Sequence, residues 1–342
     1  MATDRRRIRG PPGGTSQPVL VNELSLTPPR RIRGPNELRK ICERSSMRLT
    51  ASMSWTGRTN GMLELDLKTG LTPSASGSAY LELEPPPPAS KNILASKVSS
   101  LKLTCTVHGP RPLPRSAPFS SQLLLSTRVK FAPFASWERK GYVPDASERD
   151  LAAHLESALR GVIIGERWPK SGTDIVVTIL EGEEDHSITE ASVKSRSIHS
   201  EWAIMFVLSG CITAASAALV DAGIDCVDLV TGGVAAIIQH TSLASQIVLD
   251  PCLSDGEEIV TACVVGYLHS RDEVTELLFK GNLPQSYSKH SNSLGFELLV
   301  DHAVQAAIAA RSVSIDAIKE GVEAKIQVDE GDTAKTTLKE WL

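Results

Sequence analysis

The sequence predicts an α+β protein made of two βαβα-type halves, and three observations predict it. Residues 77–131 contain short runs that alternate apolar and polar side chains, the period of a half-buried strand. Apolar residues at three- and four-residue spacing mark helices between and after those runs. The segments follow one another as strands, helix, strand, helix, then strands, helix, helix, the succession of an α+β chain in two similar halves.

A chain of 342 residues is longer than one compact domain usually needs. Hydrophobic residues make up 41% and charged residues 22%, which excludes a chain disordered throughout. Aromatics are only 4%, so the core has to be built from Ala, Val, Ile and Leu. The net charge of -4 excludes a basic surface over the whole protein, yet the charge is unevenly spread. Residues 1–35 carry seven arginines against Asp4 and Glu23, and they repeat RRIRGP at 6–11 and 30–35. Such a Pro- and Gly-rich basic segment cannot bury enough apolar surface to offset the entropy of ordering it. It reads as a disordered arm, an electrostatic tether for RNA or an acidic partner, or simply a solvated tail.

Folded structure is expected from residue 36, in a first half spanning 36–230 and a second spanning 231–318. Strands are predicted at 77–84, ended by Pro85 to Pro88 because consecutive prolines cannot donate to a ladder, then at 100–107 and 121–131. A helix follows, with Ser147 and Asp150 at capping-box spacing and Leu151, Leu155, Leu159 and Val162 on one face. Residues 174–180 read as a continuous buried strand, and 181–201 as a polar surface insertion. Residues 203–220 carry no charge over eighteen positions, near the lower limit for a membrane span. Ser209, Gly210, Thr213 and Ser216 interrupt that run, so a strand leading into a buried helix at 213–222 fits better, and the chain reads as soluble. Strands at 227–238, 245–249 and 258–268 come next, then a helix at 270–281 opened by Ser270 and Glu273, and a long Ala-rich helix at 291–318. A polar tail, 319–342, closes the chain.

Six cysteines lie far apart with no C-x-x-C pair, which supplies neither a zinc framework nor a disulfide scaffold. They read as buried free thiols. The eight histidines form no metal-ligand pattern, and Gly232-Gly233 lacks the flanking spacing of a nucleotide-binding loop.

Four strings in order carry a resemblance: GSAYLEL at 77–83, SSLKLTCTVHGPRPLP at 99–114, RVKFAPFASWERKGYVPDASERDLAAHLESAL at 128–159 and ITAASAALVDAGIDCVDLV at 212–230. They resemble the ribonuclease PH family, and within it the ring subunits of the eukaryotic exosome, of the mRNA-transport-regulator type. The similarity covers most of residues 36–311. It implies the ribonuclease PH-like fold, related to ribosomal S5 domain 2.

Active members of that family cleave RNA from its 3′ end by phosphorolysis, which needs a cradle for phosphate, acidic groups for a metal or proton transfer, and cations along the RNA backbone. The resemblance implies a Gly-Gly-Thr/Ser-Arg stretch before the helix that ends at Asp221-Ala222-Gly223. Counted back without gaps, its place is held by Met205, Phe206, Val207 and Leu208. None offers a cation, a hydroxyl or glycine's backbone freedom. Gly210-Cys211 is the only substitute turn, and it lacks an arginine. Of two aspartates that relatives place six residues apart, Asp250 matches the first, while Gly256 takes the second position between Asp255 and Glu257. Asp250 is therefore a vestige. Arg128, Lys130, Arg139 and Lys140 lie where relatives contact RNA, with Arg111 and Arg115 on an adjacent loop.

What the resemblance implies is a non-catalytic structural subunit of the RNA exosome core ring, with no catalytic residue, cofactor or metal. Six such subunits, three each of two types, would form a hetero-hexameric ring joined by RNA-binding cap subunits and an associated processive exoribonuclease. The subunit would support 3′-to-5′ RNA processing, rRNA included, and degradation by completing the ring, docking a cap and guiding single-stranded RNA through the channel. The places implied are nucleus, nucleolus and cytoplasm, with no membrane. The alternative is an active phosphorolytic 3′-to-5′ exoribonuclease.

Overall fold

The structure, a computed structural model, describes residues 64–84, 100–114, 116, 119–135, 141–182, 193–240, 246–251, 257–281 and 295–340. The basic arm at 1–35, the middle of the 181–201 insertion, Asp255, Gly256, Arg115, Arg139 and Lys140 lie outside the described residues.

Strands β1 (Glu64–Thr69), β2 (Gly77–Glu84), β3 (Leu101–Pro112), β4 (Leu124–Phe131) and β5 (Ser171–Glu181) form a five-stranded sheet in the order β1-β2-β3-β5-β4. All neighbours are antiparallel except β4 and β5, which run parallel. A parallel pair needs a long crossover, and helix α1 (Ala146–Arg160) supplies it. Along β3 every second residue is buried, Leu101, Leu103, Cys105 and Val107 facing inward.

Helix α2 (Val193–Asp221) lies against β2 and β3 on one side and β6 and β8 on the other. Its apolar run is thus the core between two sheets, which accounts for a composition that by length alone could cross a membrane. The second sheet, β6 (Val230–His240), β7 (Gln246–Leu249), β8 (Glu257–Leu268) and β9 (Glu273–Gly281), is antiparallel throughout in the order β7-β6-β8-β9. Its other face carries helix α3 (Phe296–Glu340), where Ala235, Ile237, Cys263, Val265 and Tyr267 pack with Leu299, Ala303 and Ala307.

Several expectations need correction. Strand β1 was not foreseen, because Leu65 and Leu67 are its only apolar residues. Residues 273–281 are strand β9, not a helix, since pairing with β8 decides what Val274, Leu277 and Leu278 can only suggest. Residues 203–212 are helical, part of one α2 that starts at Val193 inside the segment read as an insertion. Finally, α3 begins at Phe296 and runs through residues 319–340.

Helix α1 starts two residues earlier than its sequence suggests. Asp145 is the N-cap, accepting the Ala146 N–H at 2.7 Å, while Glu148 Oε2 accepts the Asp145 N–H at 2.9 Å. The Asp145 side chain also accepts the Glu148 N–H, so Asp145 and Glu148 form a reciprocal capping box that displaces the Ser147/Asp150 alternative.

Candidate functional site

Met205, Phe206, Val207 and Leu208 sit well inside α2, all four buried in the main core. Helical N–H groups bond to the carbonyl four residues back, so those of residues 205–208 are committed within the helix. Only the first turn of a helix leaves N–H groups free for an anion, and that turn begins at Val193. Gly210 and Cys211 are helical too, so they form no turn. A Cβ on Gly210 would lie 2.7 Å from Leu101 Cδ2, which shows how closely α2 presses on β3.

The next turn of α2 is pinned to the second sheet. Thr213 Oγ1 donates to the Ser209 carbonyl at 3.1 Å and accepts the Gly232 N–H at 3.0 Å. Ser216 Oγ accepts the Val230 N–H at 3.0 Å. A Cβ on Gly232 would overlap the Ser209 backbone, and one on Gly233 would overlap Ala303 and Ala307 of α3. The double glycine therefore lets helices close on both faces of β6, a packing role and not a phosphate loop.

Asp250 stands just past β7 with φ +42°, a left-handed conformation that Asp tolerates better than most residues. Its N–H donates to the Val234 carbonyl at 3.1 Å. Burial pushes its carboxyl up to about 6, although a hydrogen bond with the Val234 backbone pulls the other way. Strand β6 brings it towards the 205–208 segment of α2, because Val234 lies two residues from Gly232, which abuts Ser209. Glu257 is placed by the β6–β8 register opposite His240. Among the described residues no group of three or more His, Cys, Asp or Glu side chains could hold a metal ion.

The basic candidates divide. Lys130 Nζ lies 2.8 Å from Glu148 Oε2 and 3.4 Å from the Val143 carbonyl. Glu148 is buried, and its Oε1 accepts the Phe131 N–H at 3.0 Å. Burial raises that carboxyl, but hydrogen bonds from Lys130, Phe131 and Asp145 outweigh it and hold Glu148 below the ordinary carboxylate range. Lys130 is therefore tied to the start of α1. Arg128 on β4 and Arg111 at the end of β3 are exposed to solvent. Sequence reasoning missed Lys170, whose ammonium lies 5.3 Å from the centre of the exposed Phe119 ring. Its carbonyl accepts the Leu113 N–H, two residues from Arg111.

Cys105, Cys211, Cys226 and Cys263 are free thiols, as expected. Burial raises all four, Cys226 and Cys263 to about 11 and Cys211 to about 12, so none is a ready nucleophile.

Comparison with known proteins fits this architecture. The profile described as "3' exoribonuclease family, domain 1" (RNase PH) matches residues 61–225. The chain is 48% identical over 320 residues to the exosome complex component MTR3 of Chaetomium thermophilum, covering 94% of this chain and 99% of that one. Exosome complex component mtr3 of Schizosaccharomyces pombe is 26% identical over 310 residues, covering 88% and 96%. Among solved structures, rice (Oryza sativa) Rrp46 shares the fold at a TM-score of 0.50 and 16% identity, covering 77% of this chain and 96% of that one. The two sheets and their helices are accordingly an RNase PH fold, and the chain belongs to the RNase PH, or 3′ exoribonuclease, family.

Proposed function

We propose that this chain is a non-catalytic ring subunit of an exosome, working through assembly and not through bond cleavage. Its likeness to exosome components over nearly its whole length supports ring membership. The observation that carries the non-catalytic reading is the buried helical environment of Met205–Leu208. Phosphorolysis needs orthophosphate held beside the scissile linkage while negative charge develops. Four apolar side chains on a helix interior provide neither a positive charge nor an uncommitted N–H. Asp250, bonded to the Val234 backbone, then acts as a strand-end cap.

In this role the subunit completes a hetero-hexameric ring, helps seat RNA-binding cap subunits and lines part of the path to an associated processive exoribonuclease. Arg128 and Arg111 are exposed, which supports them as candidates for contacts to an RNA backbone that position RNA without reading its sequence. Lys130 is set aside because Glu148 holds it. Such a subunit works wherever the exosome does, in nucleus, nucleolus and cytoplasm. The experiment is affinity purification of the tagged full chain followed by mass spectrometry. Recovery of other RNase PH-fold chains in equimolar amounts supports the reading, and recovery of the chain alone overturns it.

A further inference from the structure

Strand β9 ends the second sheet: it pairs with β8, and no described strand pairs with its outer edge. The register sets Val274 opposite Tyr267, Leu277 opposite Val265 and Phe279 opposite Cys263. Tyr267, Val265 and Cys263 pack beneath α3, so Val274, Leu277 and Phe279 are on the α3 side as well. Phe296, Val300, Val304 and Ile308 follow one another at four-residue intervals along one ridge of α3. The Phe279 and Phe296 rings meet edge to face at 5.3 Å. At the opposite end of the ridge, Arg311 reaches Asp228, which also receives the Ser270 N–H from the β8–β9 turn.

Strand and ridge thus frame a half-open apolar groove. Val274 keeps 44% of its surface exposed, Leu277 42%, Phe296 40% and Ile308 41%. Its helix side is acidic: Glu297 and Asp301, which flank the ridge, are both exposed.

We infer that β9 and the α3 ridge receive an extended strand of a neighbouring RNase PH-fold subunit, one flanked by basic residues. An open strand edge offers a row of N–H and C=O groups that another strand satisfies. The apolar side chains beside it supply the hydrophobic part of the contact, and the carboxylates complement basic flanks. The same carboxylates repel nucleic acid, whose phosphates carry the dominant charge. This inference deepens the ring reading and rests on it.

The test compares the wild-type full chain with Leu277→Arg and with Glu297→Lys/Asp301→Lys, each purified with whatever chains accompany it. Leu277 is half-exposed, so its variant should keep the wild-type melting temperature within about 2 °C, a shift below that of a 1 kcal/mol change. The expected result is that wild type assembles, that Leu277→Arg loses one neighbour, and that the double variant holds it at least tenfold more weakly. Amide exchange across Glu273–Gly281 should slow at least tenfold on assembly. Full assembly by Leu277→Arg, or unprotected β9 amides in the complex, overturns the inference and leaves ring membership standing. A wild-type chain without partners overturns both. Protection that appears only with a single-stranded oligoribonucleotide, or only on self-association, overturns the assignment of a neighbouring strand.

Discussion

The Thr213 hydroxyl accepts a hydrogen bond from the Gly232 N–H at 3.0 Å and donates one to the Ser209 carbonyl at 3.1 Å. This link fixes α2 against β6 immediately after Leu208, so residues 205–208 cannot leave the helix to form a loop without breaking it. Thr213→Val removes the hydroxyl and leaves a buried N–H unpaired, with an expected loss of about 1–3 kcal/mol. Gly232→Ala, which drives a methyl into the Ser209 backbone, should cost about 3 kcal/mol. Urea midpoints measure both. A stable Gly232→Ala chain would contradict the packing described.

Glu148 makes a pH-dependent contribution. Its carboxyl is held below the ordinary range in the folded state, so the stabilisation is present above about pH 4.3 and is lost as pH falls through the lower folded value. Glu148→Gln should destabilise by about 2–3 kcal/mol at neutral pH, and the gap to wild type should narrow towards pH 3. Lys130→Ala should cost about 1.5 kcal/mol. If Lys130→Ala is as stable as wild type, the cation is free for other work.

Asp250 behaves in the opposite sense. Its carboxyl is raised to about 6, so the folded state holds that proton more tightly than the unfolded chain does. The associated stability is present below about pH 3.9 and is lost as pH rises through 6. Asp250→Asn, which tolerates the same left-handed backbone, should therefore stabilise the protein by up to about 2 kcal/mol above pH 6 and leave it unchanged below pH 4. Melting temperatures across that range test the sign.

Asp221 links three elements at the far end of α2. Its Oδ2 accepts the Ser78 N–H at 2.9 Å, and its Oδ1 lies 2.6 Å from Lys325 Nζ on α3. Asp221→Ala should cost about 1–3 kcal/mol because it strands a backbone donor. Lys325→Ala, at a mostly exposed ammonium, should cost less than about 1 kcal/mol. Equal losses in thermal melts would show that the ion pair carries more than the backbone bond does.

Much of this fold is legible in the sequence. Strands β2 to β5 alternate or run apolar, and turn residues bound several of them. Where prediction fails, tertiary contact overrides a local pattern. Residues 203–212 are apolar on all sides because sheets flank α2 on two faces, so no helical period survives to be read. β9 carries apolar residues on both faces for a related reason: Leu278 joins the main core while Phe279 packs towards α3, and the spacing imitates a helix. The two overlapping capping patterns at the start of α1 are separated by the bonds between Asp145 and Glu148 and by Lys130 and Phe131, which reach Glu148 from β4.

The site divides along the same line. The lack of cation, hydroxyl or glycine at residues 205–208 is a matter of residue type and can be read without coordinates. The commitment of Lys130 depends on a contact made only after folding, as does the role of Gly232-Gly233 between two helices.

The central claim of the proposed function is that buried, helical residues 205–208 offer no cradle for orthophosphate in an attack on RNA. The most direct measurement is a phosphate-dependent 3′ trimming assay on the purified full chain, following release of nucleoside diphosphates from single-stranded RNA. No release above the level without enzyme is expected at any phosphate concentration. Phosphate-dependent release that disappears in Asp250→Ala would contradict the account.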